Sequence, residues 1–96
     1  MKIKLPRPFS FEGKEYTEID ADLDGLTGKD ISEVKRRWAA LGNSTTTPIA
    51  LDPDFDVLVL QKASKLPYEF FEQLPAGVWL YVAQATGNFL AEQGWG

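Results

Sequence analysis

Cysteine and histidine are both absent from this sequence of 96 residues. Without cysteine there is no disulfide framework, and without either residue the usual zinc sites and the Ser-His and Cys-His catalytic pairs are excluded. Long apolar runs are missing as well, since none approaches the roughly 20 residues that a transmembrane helix requires. Residues 1–6 also lack the apolar stretch of a signal peptide. We therefore expect a cytosolic protein with no membrane partner.

An excess of positive charge is also missing. The net charge is −4 and the isoelectric point is about 4.7, whereas a nucleic-acid-binding protein needs a basic surface to neutralise phosphates. The one basic cluster consists of Lys35, Arg36 and Arg37 on a single predicted helical turn, and it is interpreted as a solvated helix face. Nucleic acid is therefore not expected among the partners.

What the sequence does have is the composition of one ordinary globular domain. Apolar residues make up 44% of the chain and charged residues 25%, and the length is too short for two independent cores. Strand-like patterns precede helix-like patterns along the chain. This order indicates an α+β domain over residues 1–96, with an N-terminal β-hairpin followed by three to four α-helices.

The hairpin is predicted over residues 2–24. Residues 2–11 and 15–24 alternate between apolar and polar side chains, and a glycine-containing turn at residues 12–14 separates the two runs. A period of two is typical of a half-buried strand, so the two runs predict a hairpin. Its inward-facing residues are expected to be the odd-numbered Ile3, Leu5, Phe9, Phe11, Thr17, Ile19, Ala21 and Leu23.

The odd numbering of both inward sets constrains the strand register. Paired residues must then have numbers with an even sum, as in Leu5 opposite Ala21 and Ile3 opposite Leu23. A two-residue loop would give an odd sum. We therefore predict either a three-residue loop or a bulge near residues 6–8, where two prolines interrupt the first strand.

The first helix is predicted over residues 28–41 from its end signals. Thr27 is a suitable N-cap, and Asp30 three residues later completes a pattern that resembles a capping box. Gly42 is a suitable residue for the C′ position. The apolar residues between these ends recur at spacings of three and four, namely Ile31, Val34, Trp38 and Leu41.

Three further helices are predicted over residues 53–63, 67–73 and 76–92. A proline stands at or immediately before the start of each. In the first of them Asp52 is a suitable N-cap, although the apolar run at residues 57–60 also fits a buried strand. The polar residues 43–48 are interpreted as a mobile connecting loop.

Several motifs that carry chemistry are only superficially matched. Residues 20–25 fit the opening D-x-D-x-D-G of a calcium loop, but the twelfth position is Ile31 instead of the required bidentate glutamate. Residues 25–29 lack the spacing of a phosphate-binding loop, and no pair among the 14 acidic residues stands out. No catalytic residue, metal or cofactor is expected, and the chain is interpreted as a binding protein instead of an enzyme.

The last predicted helix has more apolar surface than one buried stripe requires. Residues 78–83 are apolar on every side of the helix, so either the other helices wrap it completely or part of it contacts another chain. Trp79, Leu80 and Leu90 are the candidates for such a contact. Gly87 indicates close approach of a neighbouring backbone, because glycine inside a helix costs about 1 kcal/mol relative to alanine. Trp95, beyond the helix, is either a flexible or folded-back residue or a partner anchor.

Short motifs in a fixed order extend over nearly the whole chain. In this order and spacing they resemble the tail assembly chaperones of long-tailed phages related to Mu and P2. One departure is Ala76-Gly77, where such proteins commonly carry an acidic residue. The motifs are Lys4-Leu5-Pro6, Phe11-Glu12-Gly13-Lys14-Glu15-Tyr16, Leu23-Asp24-Gly25-Leu26-Thr27-Gly28-Lys29-Asp30-Ile31, Leu51-Asp52, Leu66-Pro67-Tyr68-Glu69, Leu74-Pro75 and Asn88-Phe89-Leu90.

The resemblance implies a role in building the phage tail. Such a chaperone coats the tape-measure protein in the host cytoplasm, keeps it soluble, helps to recruit tail-tube subunits, and is absent from the mature virion. Its partner-binding residues here would be Trp79, Leu80 and Leu90, with Trp38 and Trp95 as additional candidates. The alternative is a small adaptor or regulatory protein of a phage or prophage that forms a homo-oligomer through its last helix.

Overall fold

The computed structural model describes residues 1–42 and 52–92. The elements are β1 (Lys2–Phe11), β2 (Lys14–Asp20), α1 (Gly28–Ala40), α2 (Pro53–Ser64), α3 (Tyr68–Glu72) and α4 (Ala76–Glu92). The prediction of an α+β fold with an N-terminal hairpin and following helices is confirmed. The connector predicted at residues 43–48 lies outside the described residues. In the part of the chain that is described, no helix is both long enough and apolar enough to cross a membrane.

The hairpin combines a tight turn with an irregularity in its first strand. Glu12 and Gly13 form the turn, and both have positive φ, of 51° and 79°, as the favoured two-residue hairpin turn requires. The register then shifts between Lys4 and Phe9. The predicted bulge near residues 6–8 is therefore confirmed, and the three-residue loop offered as its alternative is not formed.

The predicted strand pairs are wrong, and the predicted even sum holds only for Lys2 to Lys4, since the pairs next to the turn, such as Phe9 with Tyr16, have an odd sum. Ile3 lies opposite Ile19 instead of Leu23, because β1 has three more residues than β2 between the pair Lys4–Glu18 and the pair Phe9–Tyr16. The second strand accordingly ends at Asp20. Thr17 is exposed instead of buried, and the half-buried ring of Tyr16 faces the core in its place.

The first helix begins and ends as its local signals predict, to within one residue. Thr27 and Asp30 form a reciprocal capping box, and Gly42 adopts the left-handed conformation, with φ of 92°, just beyond the helix end. Each of these residues acts on backbone groups no more than about four positions away in the chain, so neither helix end needs a tertiary contact to form.

Helix α2 is the centre of the domain and packs against α1, α3 and α4. Residues 55–60 are all buried, which explains why every residue of this run except Asp56 is apolar. Asp52 caps the helix by accepting the backbone N–H of Asp54 at 2.9 Å, and Pro53 occupies the first turn. The helix interpretation of this run is therefore confirmed over the strand alternative.

The short helix α3 joins the hairpin to the helices through one aromatic ring. Phe70 is fully buried, and its ring meets four others edge-on at centroid distances of 4.8–5.4 Å. These rings belong to Phe9, Phe11, Tyr16 and Phe71. Edge-to-face pairs of this kind stabilise a core beyond the area that they bury. With α4 also packed on β1, the domain has one continuous core.

Candidate functional site

Helix α4 has one face inside the core and the opposite face in solvent. The inner face packs against α2 and β1 and contains the buried Val78, Val82, Ala83, Thr86 and Leu90. The side opposite carries Leu80 and Tyr81, which are 56% and 48% exposed. The described part of the molecule therefore does not enclose the helix completely.

The exposed side chains of α4 recur at spacings of three and four and form a continuous stripe. We call this stripe the α4 outer face, and it consists of Gly77, Leu80, Tyr81, Gln84, Asn88 and Ala91. No charged residue occurs between Ala76 and Ala91. The face can therefore bury leucine and tyrosine against a partner without desolvating a charge, while its two amides can donate and accept hydrogen bonds.

The structure places the α4 candidates at different depths. Leu80 is exposed, as a residue that contacts another chain must be. Trp79 is half-buried and packs against the core. Leu90 is only 8% exposed, so the expectation that it belongs to the exposed surface is wrong. It follows Val78, Val82 and Thr86 at successive spacings of four, so it lies on the buried side of α4 that faces α2 and β1. Trp95 lies outside the described residues.

Trp38 is a second correction to the predicted surface. It is 2% exposed, because α1 packs against α2 and encloses the indole ring. Its Nε1–H donates to Oδ2 of Asp52 at 2.9 Å, and its ring meets Phe55 edge-on at 6.3 Å. Trp38 thus joins two helices within the core and does not contribute to an exposed docking surface.

Sequence reasoning missed Tyr81 and the amides that continue the outer face. The available signal was the spacing of four from Leu80 to Gln84 and from Gln84 to Asn88. That spacing identifies residues on one side of a helix. It does not tell which side is covered, and the segment 78–83 is apolar on both.

Sequence reasoning also missed a buried carboxyl group between α2 and α4. Asp56 is 7% exposed, and its Oδ1 has no hydrogen-bond partner among the described residues. Burial and, to a smaller extent, the negative charge of Asp52 raise the pKa of Asp56 to about 7. Its neighbour on α4 is Gly87, where an added Cβ would lie 2.7 Å from Oδ2 of Asp56. The close approach expected at Gly87 is therefore made by this carboxyl group and not by a backbone.

The acidic residues of the described segments form no metal site. No group of three or more Asp and Glu side chains in residues 1–42 and 52–92 is placed to hold a metal ion. In the calcium-like sequence at residues 20–25, Asp22 accepts the backbone N–H of Gly25 at 3.1 Å and so closes a local turn.

The chain matches no protein-family model, no curated protein and no solved structure. Its functional assignment therefore depends on the surface chemistry of the described residues and on the order of motifs in its own sequence. Among these features the α4 outer face is the candidate binding site, because it combines exposed apolar side chains with the absence of charge.

Proposed function

We propose that this protein is a tail assembly chaperone that binds the tape-measure protein of a long-tailed phage or prophage through the α4 outer face. The observation that carries the proposal is the exposure of Leu80 and Tyr81 within a helix that has no charged side chain from Ala76 to Ala91. The order of short motifs along the chain, which resembles that of this chaperone family, supports the same function.

The chemistry of the face suits a long helical client. A helix with an apolar stripe docks against an apolar groove or face of its partner, and burying one exposed leucine side chain contributes about 1.5–3 kcal/mol. Gln84 and Asn88 can satisfy polar groups at the edge of such a contact. Several modest contacts of this kind keep a client soluble and still allow release.

Release is needed because tail-tube subunits must replace the chaperone on the tape-measure protein. The proposal therefore includes transient recruitment of tail-tube protein, action in the host cytoplasm before the tail is complete, and absence from the mature virion. An uncharged face suits reversible exchange, since a charged pair buried at such a contact would be costly to separate.

Co-expression with the tape-measure protein of the same phage tests the proposal. The wild-type chain should keep the tape-measure protein in the soluble fraction and co-purify with it. Leu80→Asp places a charge in the middle of the outer face, so it should abolish co-purification while leaving the circular dichroism spectrum unchanged. Leu41→Asp is the matched control, because Leu41 is a similarly exposed leucine, at 52%, at the end of α1. The proposed surface is contradicted if both variants lose co-purification with the tape-measure protein equally, or if neither variant loses it.

The same face supports one alternative, a small adaptor that dimerises through α4. Two uncharged faces can pack together without like-charge repulsion, which is the observation that favours it. Sedimentation of the purified protein separates the two functions. A dimer that Leu80→Asp dissociates, together with no effect on tape-measure solubility, would establish the adaptor.

A further inference from the structure

A groove runs along the open edge of β2. The described sheet has only two strands, so β2 pairs with β1 on one side and has no strand on the other. The groove has a volume of about 370 Å³ and is lined by all of β2, Lys14–Asp20, together with Ser64 and Leu66. We call it the β2 edge groove. An open strand edge is a template for pairing with another chain.

The hydrogen bonds at the end of the hairpin determine which backbone groups face this groove. Met1 and Ala21 exchange two hydrogen bonds, of 2.8 and 2.9 Å. Hydrogen-bonded and non-hydrogen-bonded pairs alternate along an antiparallel ladder, and the register is regular from Asp20 to Glu18. Asp20 and Glu18 therefore belong to non-hydrogen-bonded pairs, and their N–H and C=O groups point away from β1 toward the groove.

The charge of the strand selects the kind of segment that can pair with it. β2 carries three acidic side chains, Glu15, Glu18 and Asp20, and one basic side chain, Lys14. Glu18 also lies 3.8 Å from Lys2, but an exposed pair of this kind is weak and leaves the carboxylate available. Like charges directly opposite each other destabilise a strand pair, whereas opposite charges stabilise it. A second copy of β2 would bring the same excess of acidic residues.

We propose that the β2 edge groove binds an extended segment of a partner protein that is rich in lysine or arginine, as a third strand of the sheet. Backbone hydrogen bonds to Glu18 and Asp20 provide the pairing, and cationic side chains of the segment lie beside the acidic side chains of β2. The half-buried Leu66, which also lines the groove, supplies an apolar contact. This surface is separate from the α4 outer face, so the proposal does not depend on the chaperone function.

The test uses the full chain and a synthetic seven-residue peptide of alternating lysine and threonine. Binding is followed by NMR, and the expected result is that exchange of the Glu18 and Asp20 amides slows roughly tenfold or more. A matched peptide with glutamate in place of lysine should leave both amides unchanged. Two further lysine peptides carry N-methyl groups at alternate positions, each on one edge of the strand. Methylation of the edge that faces β2 should abolish binding, and methylation of the other edge should not.

A variant of the protein provides a second, independent measurement. Charge reversal by Glu15→Lys and Asp20→Lys keeps the contact between Glu18 and Lys2, and it should make the chain prefer the glutamate peptide. Equal binding of both N-methylated peptides would show attraction by charge without strand pairing and would overturn the proposal. The absence of saturable binding would also overturn the proposal. Slow exchange of the Glu18 and Asp20 amides in the free protein, together with a dimer in sedimentation, would overturn it as well and would identify a second copy as the occupant.

Discussion

The carboxyl group of Asp56 on α2 fills the space that a side chain at Gly87 on α4 would occupy. A Cβ added at residue 87 would lie 2.7 Å from Oδ2 of Asp56, closer than real Cβ contacts. The contact joins the central helix to the helix that carries the outer face, and it explains why a glycine is present near the middle of α4. It also leads to two predictions, one about size at residue 87 and one about charge at residue 56.

Gly87→Ala should destabilise the protein by about 1–3 kcal/mol, because the added methyl group must displace a buried carboxyl group. Helix propensity alone predicts the opposite, a gain of about 1 kcal/mol. The measurement is urea unfolding at neutral pH. Gly77→Ala is the control, since among the described residues no atom outside the adjacent helix backbone lies within 4 Å of an added Cβ there, and it should be neutral or stabilising. A Gly87→Ala variant as stable as Gly77→Ala would show that the α2–α4 contact is loose.

The stability of the protein should decrease as pH rises from about 4 to about 7. The pKa of Asp56 is about 7 in the folded state, raised from 3.8 by burial and by Asp52, so between these values the folded protein binds a proton that the unfolded chain releases. The free energy of unfolding should therefore fall across this range, by at most about 4 kcal/mol, and stay level above it.

The Asp56→Asn variant isolates this effect. It removes the titrating group at nearly constant volume, so it should flatten the pH profile between pH 4 and 7 and should be more stable than the wild type at pH 8. Urea unfolding at a series of pH values measures both quantities. An unchanged profile in the variant would assign the pH dependence to another group.

Asp52 should be more important for stability than its exposed neighbour Asp54. One carboxylate oxygen of Asp52 caps α2 and the other accepts the indole N–H of Trp38, each at 2.9 Å. Asp52→Ala removes both bonds and should cost about 2–3 kcal/mol in the free energy of unfolding. Asp54→Ala should change stability by less than about 1 kcal/mol. Similar values for the two alanine variants would contradict the capping role.

Phe70 should determine whether the hairpin stays packed on the helices. Its ring contacts Phe9, Phe11 and Tyr16 of the hairpin, so Phe70→Ala should cost about 3–5 kcal/mol. Amide exchange in β1 and β2 should accelerate more than exchange in α2, because the lost contacts are those of the hairpin. Glu69→Ala, which changes an exposed residue of the same helix, is the control. Uniform acceleration throughout the domain would show instead that the hairpin and helices unfold as one unit.

The sequence predicts the elements of this protein more closely than it predicts their contacts. Helices α1 and α4 begin and end within a residue of their predicted limits, since capping residues and prolines act on backbone groups only a few positions away. The hairpin shows where this local information ends. An odd–even argument correctly requires a bulge or a longer loop, but the size of the bulge depends on how the strands pack, and so the predicted partner of Ile3 is wrong.

The candidate site divides in the same way. The sequence alone determined that α4 is apolar on every side over residues 78–83 and uncharged from Ala76 to Ala91, because these are properties of one helix. Only the tertiary structure decided that Leu80 lies in solvent while Leu90 and Trp38 are buried. The reason is that burial depends on where α2 lies against each helix, and that position is set by contacts between residues far apart in the chain, including a carboxyl group against a glycine.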